Sequence, residues 1–599
     1  MSSGPPALES VRLFSGVFGR WLGLLPLLLG AVTPVLVVLG ILSAGAPFPF
    51  EDHWDMVPLL ERDATGTLTL GDLWAQQNEH RYVIPWVIML GLARVTRWNI
   101  LAELMLNVAF SLAAVALLAL LVRRTCRERA PALIPWLVLC ASLMTFSLVK
   151  WENWLKSMSQ PAFLSALAAC VTVFVLARRG PTPAGAVLAM LAAGAGVLSF
   201  ANGLILLVVV PVAIALDPRA AAARRAWLAL STLALGVGVT ALYLTGFEHP
   251  PKHPSPSLFL GHPGDFGVYL LAYLGAPLGW PALGPSIAWG LAGLVALGAA
   301  SWWLWFRVPA SRADVLPWLM LTLYVLGSAA MTGAGRLGAG VSQALASRYT
   351  TISTFHWIGV AVVAALATVS LIDTRRLSSR VRVATLAVAI VALVAASASY
   401  AAVWVRTNPW VEALEWINGW ALECVQHYRD APDGCLGVIH TDAGLVRQRA
   451  AQLDRLALGP FRGRSALASL ASYTVVEPHE PAGAITAAWH RPISVRAFGG
   501  SQTYRSTEFW LAGWAEDPAT RGFPTAVLVA ADGVVLGQAP IAEDAQPAAV
   551  EPRHAGWAFR FSAFRLPPGA RTLDAYAVLD GGRIARLAGS RRLGGTLVP

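Results

Sequence analysis

Charged residues are scarce in this chain, and their scarcity decides its broad class. Only 13% of the 599 residues are Asp, Glu, Lys or Arg, whereas 56% are hydrophobic, and the mean hydropathy is +0.58. Soluble globular domains carry roughly a quarter of charged residues. The composition therefore excludes an ordinary soluble protein and predicts one that lies largely in a membrane.

The sequence also lacks the motifs of several other classes of protein. Five cysteines are too few for a disulfide scaffold. The chain has no internal repeat, no P-loop and no Gly-rich dinucleotide-binding turn, so ATP-driven transport has no support. The formal net charge of +11 does not indicate nucleic acid, because excess Lys and Arg in a polytopic protein mark its cytoplasmic loops. We expect no nucleic-acid partner.

Long apolar runs are abundant, and a span needs about 20 mostly apolar residues. About eleven runs qualify or nearly do: Trp21–Ser43, Ile100–Val122, Ala132–Val149, Pro161–Ala177, Ala184–Phe200, Leu204–Leu216, Trp227–Leu244, Ile287–Phe306, Val315–Met331, Ile352–Ile372 and Val383–Trp404. Phe266–Leu278 is a further candidate half-span or re-entrant piece. The first run lacks a clear small-residue cleavage site, which favours a retained anchor.

Arginines predict the orientation of these spans. With a cytoplasmic N-terminus, the short inside loops hold Arg123, Arg124, Arg127, Arg129, Arg178, Arg179, Arg219, Arg224, Arg225, Arg307, Arg312, Arg375, Arg376, Arg380 and Arg382. The opposite loops are longer and poorer in basic residues, as the positive-inside rule expects. An odd number of spans then places the C-terminus outside, and we expect a multi-pass protein of a bacterial inner membrane.

The long apolar runs end at Trp404, and the sequence beyond it is mixed in polarity. We predict a transmembrane domain over 1–405 with a first external loop at 44–99, a helical extracytoplasmic linker over 406–481, and an extracytoplasmic β-sandwich over 482–599. Short aromatic and β-branched stretches separated by Ala-Asp-Gly and Pro-Pro-Gly support the sandwich. Cys424 and Cys435 fall in this outer region, where they either form a disulfide or stay as two buried thiols.

The segment PFPFEDHWDMVPLLE follows the first apolar run and concentrates three carboxylates, an imidazole and an indole. If it is helical, Asp52 and Asp55 share a face at i, i+3, and Glu51 joins Asp55 at i, i+4. Clustered carboxylates repel one another, which raises the proton affinity of at least one or recruits a cation. The alternative is a solvated loop that Trp54 anchors in the membrane interface.

A second polar cluster lies in the same loop, in QQNEHRYVIP. Its members are Asn78, Glu79, His80 and Arg81. They combine a base, a proton shuttle and a guanidinium able to bind an anion. The alternative is a helix N-terminus with its usual acid and capping residues.

Further polar side chains stand at the predicted outer ends of later spans. They are Lys150, Glu152, Lys156 and Gln160 in VKWENWLKSMSQP, Asn202 in SFANG, and Arg336, Gln343, Arg348 and Tyr349 in GAGRLGAGVSQALASRYTTIS. A Gly-rich backbone ahead of Ser-Arg-Tyr favours anion binding. For the lysines and Arg348, the alternative is snorkelling at the membrane interface.

These motifs together resemble the GT-C superfamily, polytopic glycosyltransferases that use polyprenyl-phosphate-linked sugars. An acidic pair just after the first span, in a long external loop, is the hallmark of that superfamily. EDHWD, NEHR, WENW…Q, ANG and SRY are similar to segments of a bacterial branch of it, and the resemblance covers roughly residues 15 to 405. WENWLKSMSQ departs from the Gly-Phe-Gln-like end of relatives, which leaves the roles of Lys156 and Gln160 open. The distal β-domain is similar to carbohydrate-binding-like appendages of some members.

The resemblance implies a mainly α polytopic membrane protein with about eleven transmembrane helices and a C-terminal β-sandwich-like domain. It implies an inverting glycosyltransferase whose donor is a polyprenyl-phosphate sugar, whose acceptor is an envelope glycan or lipid, and which works among membrane lipids on the extracytoplasmic face. Asp52 is the expected catalytic base, with Asp55 or Glu51 next. The expected substrate-binding residues are His53, Asn78, Glu79, His80, Arg81, Lys150, Glu152, Gln160, Asn202, Arg348 and Tyr349. A role for Mg²⁺ or Mn²⁺ is left open.

Three alternatives remain at this point. A transporter or flippase of lipid-linked sugars would need charges at mid-bilayer depth, and the clearest intramembrane acid, Glu103, lies near an outer end. An O-antigen polymerase or ligase would rely on external-loop arginines in place of an acid. A non-catalytic scaffold would share the fold and tolerate loss of Asp52.

Overall fold

The computed structural model describes residues 7–156, 158–250, 254–255, 257–373, 378–463, 469–496, 503–542 and 555–593. Arg375 and Arg376, two arginines of the last predicted inside loop, lie outside these residues. The chain divides into a membrane unit, residues 1–46 and 62–415, and a C-terminal unit, residues 47–61 and 416–599. The segment with Glu51, Asp52 and Asp55 thus groups with the C-terminal unit.

The helices account for most of the described chain. They are α1 (Ala7–Ala44), α2 (Met56–Thr65), α3 (Leu70–Trp74), α4 (Val83–Thr96), α5 (Ile100–Cys126), α6 (Ile134–Thr145), α7 (Trp151–Leu155), α8 (Gln160–Arg179), α9 (Pro183–Val197), α10 (Leu206–Leu216), α11 (Ala222–Leu244), α12 (Leu258–Gly261), α13 (Pro263–Gly279), α14 (Leu283–Arg307), α15 (Arg312–Arg336), α16 (Thr350–Asp373), α17 (Ser379–Gln426), α18 (Asp433–Leu436) and α19 (Ala443–Leu456). Short 3₁₀ turns at Glu51–Asp55, Leu148–Lys150, Ala201–Ile205 and Ser347–Tyr349 carry the sequence motifs.

Nine helices of the described residues are long and apolar enough to cross a membrane, by length and composition. They coincide with nine of the predicted runs. The remaining two runs are also helical but shorter: α9 has 15 residues and α10 has 11. The structure confirms a mainly helical, polytopic protein.

Local sequence explains where helix α9 begins. Pro183 occupies the first turn of α9, and the Thr182 hydroxyl accepts a hydrogen bond from the Gly185 amide at 3.1 Å. Proline and threonine suit these positions, because the first amides of a helix have no partner within it.

The half-span predicted at Phe266–Leu278 is the 17-residue helix α13, which packs closely on α14. A Cβ at Gly275 would lie 1.8 Å from the Ser286 carbonyl oxygen, so only glycine permits this contact.

The C-terminal unit contains two sheets. The strands are β1 (Thr474–Val476), β2 (Gly483–Arg496), β3 (Thr503–Ala515), β4 (Ala526–Ala531), β5 (Val534–Ala539), β6 (Ile541–Ala542), β7 (Ala555–Ser562), β8 (Thr572–Leu579), β9 (Arg583–Arg586) and β10 (Arg591–Arg592). One sheet has the order β1-β9-β8-β4-β5, with β10 also on β8, and the other has the order β2-β3-β7-β6. Only the β1–β9 pair is parallel among the described strands.

The two sheets share one apolar core. Phe509 and Phe561 from one sheet join Val527, Val529 and Ala575 from the other in a single buried cluster. Alternate residues of the central strands, such as Phe509 and Leu511 of β3, point into this core, as period-two alternation requires. The predicted β-sandwich is confirmed, whereas the domain boundaries at 405 and 481 stay predictions; α17 runs through the first of them.

Candidate functional site

In the membrane unit, the predicted polar motifs lie at helix ends opposite to the arginine-rich connections. The NEHR and ANG segments come together there. The His80 ring stacks on Phe200 with centroids 4.3 Å apart, and its Nδ1 accepts a hydrogen bond from the Ala201 amide at 3.3 Å. Asn202 follows directly and is buried. A Cβ at Gly203 would lie 2.1 Å from the Gly196 carbonyl carbon, so glycine is required for this turn to pack on α9.

Arg81 is buried and bound by backbone. Its Nε donates to the Tyr243 carbonyl at 2.9 Å, and its two terminal nitrogens donate to the carbonyls of Trp74 and Thr245 at 2.7 Å each. The last carbonyls of a helix lack partners within it, so Arg81 caps the C-terminal end of α11. This geometry makes Arg81 a residue that positions NEHR.

Glu79 forms an ion pair with Arg336, the last residue of α15. Arg336 Nη2 lies 2.6 Å from Glu79 Oε1, and the side chains are 23% and 29% exposed. Asn78, just before it, has a positive φ of 50°, a left-handed conformation that asparagine tolerates. The sequence marked Arg336 as a polar residue but did not indicate its partner.

The WENW and SRY segments form a second pair. The Glu152 carboxylate accepts a hydrogen bond from the Arg348 amide at 3.1 Å, and the Arg348 guanidinium lies 3.8 Å from the same oxygen. Asn153 donates to the Arg348 carbonyl at 2.8 Å and to the Thr351 hydroxyl at 2.7 Å. Ser347 adds a 2.7 Å bond to the Val149 carbonyl. Glu152 and Asn153 thus fix the Arg348 backbone, and the bonds of Asn153 and Ser347 fix its neighbours, while the Arg348 side chain stays half-exposed.

Three tyrosines extend this arrangement. Tyr349 lies next to Arg348, whose guanidinium carbon is 5.2 Å from the ring centroid, and its ring stacks on Tyr273 with centroids 5.8 Å apart. The buried Tyr269 of α13 lies beside α15, because a Cβ at Gly333 would be 3.2 Å from its Cδ1 atom, and Arg336 follows Gly333 by about one helical turn. Tyr273 lies one turn further along α13 and stacks on Tyr349, so α13 packs against both of the segments that carry these arginines. We call Glu79, Glu152, Arg336, Arg348, Tyr269 and Tyr349 the guanidinium cluster.

The remaining predicted groups around α7 and α8 are buried. Lys150 is 1% exposed, and its ammonium group donates to the Thr354 hydroxyl at 3.4 Å. The Lys156 ammonium lies 5.1 Å from the centroid of the Trp151 ring. Gln160 is also 1% exposed, and neither amide atom has a hydrogen-bond partner in the described part of the chain. A buried amide without a partner is costly, which makes Gln160 a candidate ligand-binding group.

The acidic segment belongs to the C-terminal unit. Glu51–Asp55 forms a 3₁₀ turn in which His53 and Trp54 are fully buried and Asp52 is exposed. Glu51 has a positive φ of 47°, and its amide donates to the Ile439 carbonyl at 3.1 Å. A left-handed non-glycine residue is strained, and such strain concentrates at functional sites.

Two residues of α19 hold this acidic segment. Arg449 forms an ion pair with Asp55, and Arg455 binds Glu61 at 2.9 Å. Asp52 is exposed and Asp55 is half-buried, although the sequence pattern treated them as a pair. The partner Arg449 had no signal in the sequence, because it lies far along the chain.

The described residues do not form an evident metal centre. No group of three or more His, Cys, Asp or Glu side chains is placed to hold a metal ion within the described ranges.

Cys424 and Cys435 are joined by a disulfide in the C-terminal unit, with Cα atoms 6.0 Å apart. Glu103, the acid that a transporter would use, is buried and accepts a 2.8 Å hydrogen bond from the Trp98 indole.

Comparisons with known proteins found one similar structure. No family model matches the chain, and no curated protein matches its sequence. The chain is similar to the crystal structure of ArnT from Cupriavidus metallidurans bound to undecaprenyl phosphate, with 14% identity over 67% of this chain and 79% of that chain, and a TM-score of 0.35. A likeness of this extent carries no functional argument, so the function proposed below rests on this chain's own residues.

Proposed function

We propose that this chain is an inverting glycosyltransferase that moves a sugar from a polyprenyl-phosphate donor to an envelope glycan or lipid. The observation that carries the proposal is the guanidinium cluster at the ends of apolar helices. An apolar tail joined to an anionic headgroup matches such a place, because the tail can lie among the helices while arginines meet the phosphate.

The local charge favours an anion around α7. The segments Ser147–Gln160 and Ser347–Tyr349 contain three basic residues, Lys150, Lys156 and Arg348, and one acidic residue, Glu152. Arginine presents a planar fork of donors that fits phosphate oxygens. Glu79 holds the Arg336 side chain, while Glu152 and Asn153 fix the Arg348 backbone, so part of the ordering entropy is already lost before a ligand binds.

The chemical step assigns a base and a leaving group. The Asp52 carboxylate removes the proton from an acceptor hydroxyl, and that oxygen forms a bond to the anomeric carbon on the face opposite the phosphate. The bond between the anomeric carbon and the phosphate oxygen breaks, and its electron pair stays on the phosphate. Arg336 and Arg348 stabilise this developing charge. Asp52 is favoured over Asp55 because Asp52 is exposed, whereas the Asp55 side chain is only 29% exposed.

The other predicted residues take supporting roles in this proposal. Arg81 and His53 are buried and position their segments, while Glu51 and Asp55 shape the turn that carries Asp52. Asn78, His80, Asn202, Gln160 and Tyr349 are the candidates for contacts with sugar hydroxyls. No step is assigned to Mg²⁺ or Mn²⁺, because the described side chains do not form a fitting ligand set. We place the reaction on the extracytoplasmic face of a bacterial inner membrane.

The proposal is tested with the full chain in lipid nanodiscs. A panel of polyprenyl-phosphate monosaccharides with radiolabelled sugars is offered, together with envelope glycans extracted from the cells that make the protein. We expect transfer of label from at least one donor, with release of one polyprenyl phosphate per sugar transferred. Label that crosses a vesicle membrane with its phosphate bond intact would instead support the flippase alternative, and no turnover of any donor would contradict the proposal.

A further inference from the structure

Two tryptophans form an exposed pair on the second sheet of the C-terminal unit. Trp489 of the edge strand β2 lies directly opposite Trp510 of β3, and their rings are 5.0 Å apart with a 35° angle between planes. They are 41% and 36% exposed. Tryptophan is large and apolar, and contiguous exposed apolar surface marks interaction sites.

A row of charged side chains lies beside the pair on the same face. Arg491 and Glu508 are opposite each other, two residues along from the tryptophans, and Arg491 Nε donates to Glu508 Oε2 at 2.8 Å. Arg560, opposite Trp510 on β7, lies 3.3 Å from the other oxygen of Glu508. The carboxylate is 2% exposed, whereas the two arginine side chains are 48% and 40% exposed.

The buried carboxylate fixes both guanidinium groups at the edge of the aromatic surface. Arg491 is held further by two rings, since its guanidinium carbon lies 5.4 Å from the Trp416 centroid and 5.9 Å from the Trp489 centroid. A guanidinium has five N–H donors and no acceptor. The exposed parts of both arginines therefore present oriented donors at the border of an apolar platform.

On the other side of the tryptophans, the same face of the sheet carries only small side chains. The next row consists of the alanine pair Ala487 and Ala512, and Ala558 lies opposite Ala512 on β7. The surface thus changes, in three rows, from small methyl groups to indole rings to fixed arginines. We call Trp489, Trp510, Arg491, Glu508 and Arg560 the indole platform.

We propose that the indole platform binds a glycan chain, with a sugar ring lying on the indoles and its hydroxyls bonded to Arg491 and Arg560. One face of a pyranose ring carries C–H groups, which are attracted to the electron-rich face of an indole. The hydroxyls around the ring are acceptors for fixed N–H donors. Rigid aromatic side chains also lose little conformational entropy on binding.

A membrane surface is the rival occupant, because tryptophan and arginine are both common at membrane interfaces. The buried Glu508 argues for the glycan. A lipid surface needs only positive charge and apolar area, and it gains nothing from a carboxylate that fixes two guanidinium directions. A ligand with directional hydroxyls does gain from it. The proposal goes beyond sugar transfer and needs no donor, so its test is independent of the proposed function.

The test measures binding of linear oligosaccharides of glucose, mannose, galactose and arabinose to the full chain in nanodiscs. Saturation-transfer NMR reports which sugar protons touch the protein, and titration gives a Kd for each oligosaccharide. We expect at least one of them to bind through its ring C–H protons. Replacing both tryptophans, Trp489→Ala with Trp510→Ala, should weaken that binding at least about tenfold.

Matched variants separate the outcomes. Phe523→Ala removes an aromatic ring that is 55% exposed in the same unit and should leave the Kd unchanged, whereas Arg491→Gln should weaken binding several-fold. Thermal unfolding of each variant shows that it is folded. Absence of binding by every oligosaccharide, or binding that survives the double tryptophan change, would overturn the proposal. A smaller total quenching of tryptophan fluorescence by brominated lipids in the double variant than in wild type and Phe523→Ala, without loss of sugar binding, would assign the platform to the membrane.

Discussion

Arg348 offers the sharpest test of the guanidinium cluster, because the structure separates its backbone contacts from its side-chain contacts. Its amide and carbonyl are fixed by Glu152 and Asn153 at 3.1 and 2.8 Å. Its guanidinium is 47% exposed and lies 3.8 Å from Glu152, beyond ordinary hydrogen-bond distance. Changing the side chain should therefore cost little stability, about 0 to 1 kcal/mol, as for other exposed ion pairs.

The effect on activity should be much larger if Arg348 binds the donor phosphate. Each charge-assisted hydrogen bond contributes about 1.5–3 kcal/mol, so losing two in Arg348→Ala should lower kcat/KM by about 100-fold or more. Arg348→Lys keeps the charge but loses the planar fork, and we expect a loss of about tenfold. Initial rates of sugar transfer in nanodiscs, at equal amounts of folded protein, measure both variants.

Arg94→Ala is the matched control. Arg94 is 68% exposed and forms an ion pair with Asp63 in the same unit, and its Nε–Asp63 distance is 2.9 Å. Its loss should change stability as little as the loss of Arg348 does and leave kcat/KM within about twofold. Equal kinetics of wild type, Arg348→Lys and Arg348→Ala would refute the reasoning and leave Arg348 as an interfacial snorkelling residue.

Three further predictions concern other parts of the chain. Glu79→Gln removes the 2.6 Å ion pair with Arg336 and should raise KM for the donor several-fold, with unchanged donor KM as the contrary result. Cys424 and Cys435 should resist thiol labelling without reductant, and modification of both in folded protein would contradict the disulfide. A reporter that works only outside the cytoplasm should be active when it is fused after Pro599. Activity of a reporter that works only in the cytoplasm, at the same position, would contradict the predicted orientation.

Much of the fold follows from sequence, because apolar length and alternation act locally. Even the runs Ala184–Phe200 and Leu204–Leu216 correspond to helices, the short α9 and α10. The β-sandwich was evident from short aromatic stretches, since alternate residues such as Phe509 and Leu511 fill its core. Patterns of this kind depend on neighbours a few residues apart, and a single sequence displays them fully.

The partners within the candidate site could not be predicted in the same way. Glu79 meets Arg336, and Asp55 meets Arg449, only because helices far apart in sequence pack together. Arg81 has the residue type of an anion ligand, yet three backbone carbonyls occupy its guanidinium. Residue type indicates what chemistry a side chain can do, whereas its partners decide what remains available for a ligand.

The central claim is that a carboxylate of the first loop acts as base during sugar transfer, and Asp52→Asn tests it most directly. Asparagine keeps the shape but cannot accept the acceptor's proton, and loss of a general base lowers the rate by about 100- to 10,000-fold. Sugar transfer from a polyprenyl-phosphate donor is compared between wild type, Asp52→Asn, Asp55→Asn and Glu51→Gln at equal folded amounts. We predict that Asp52→Asn shows the largest loss, whereas near-wild-type rates in all three variants would contradict the account.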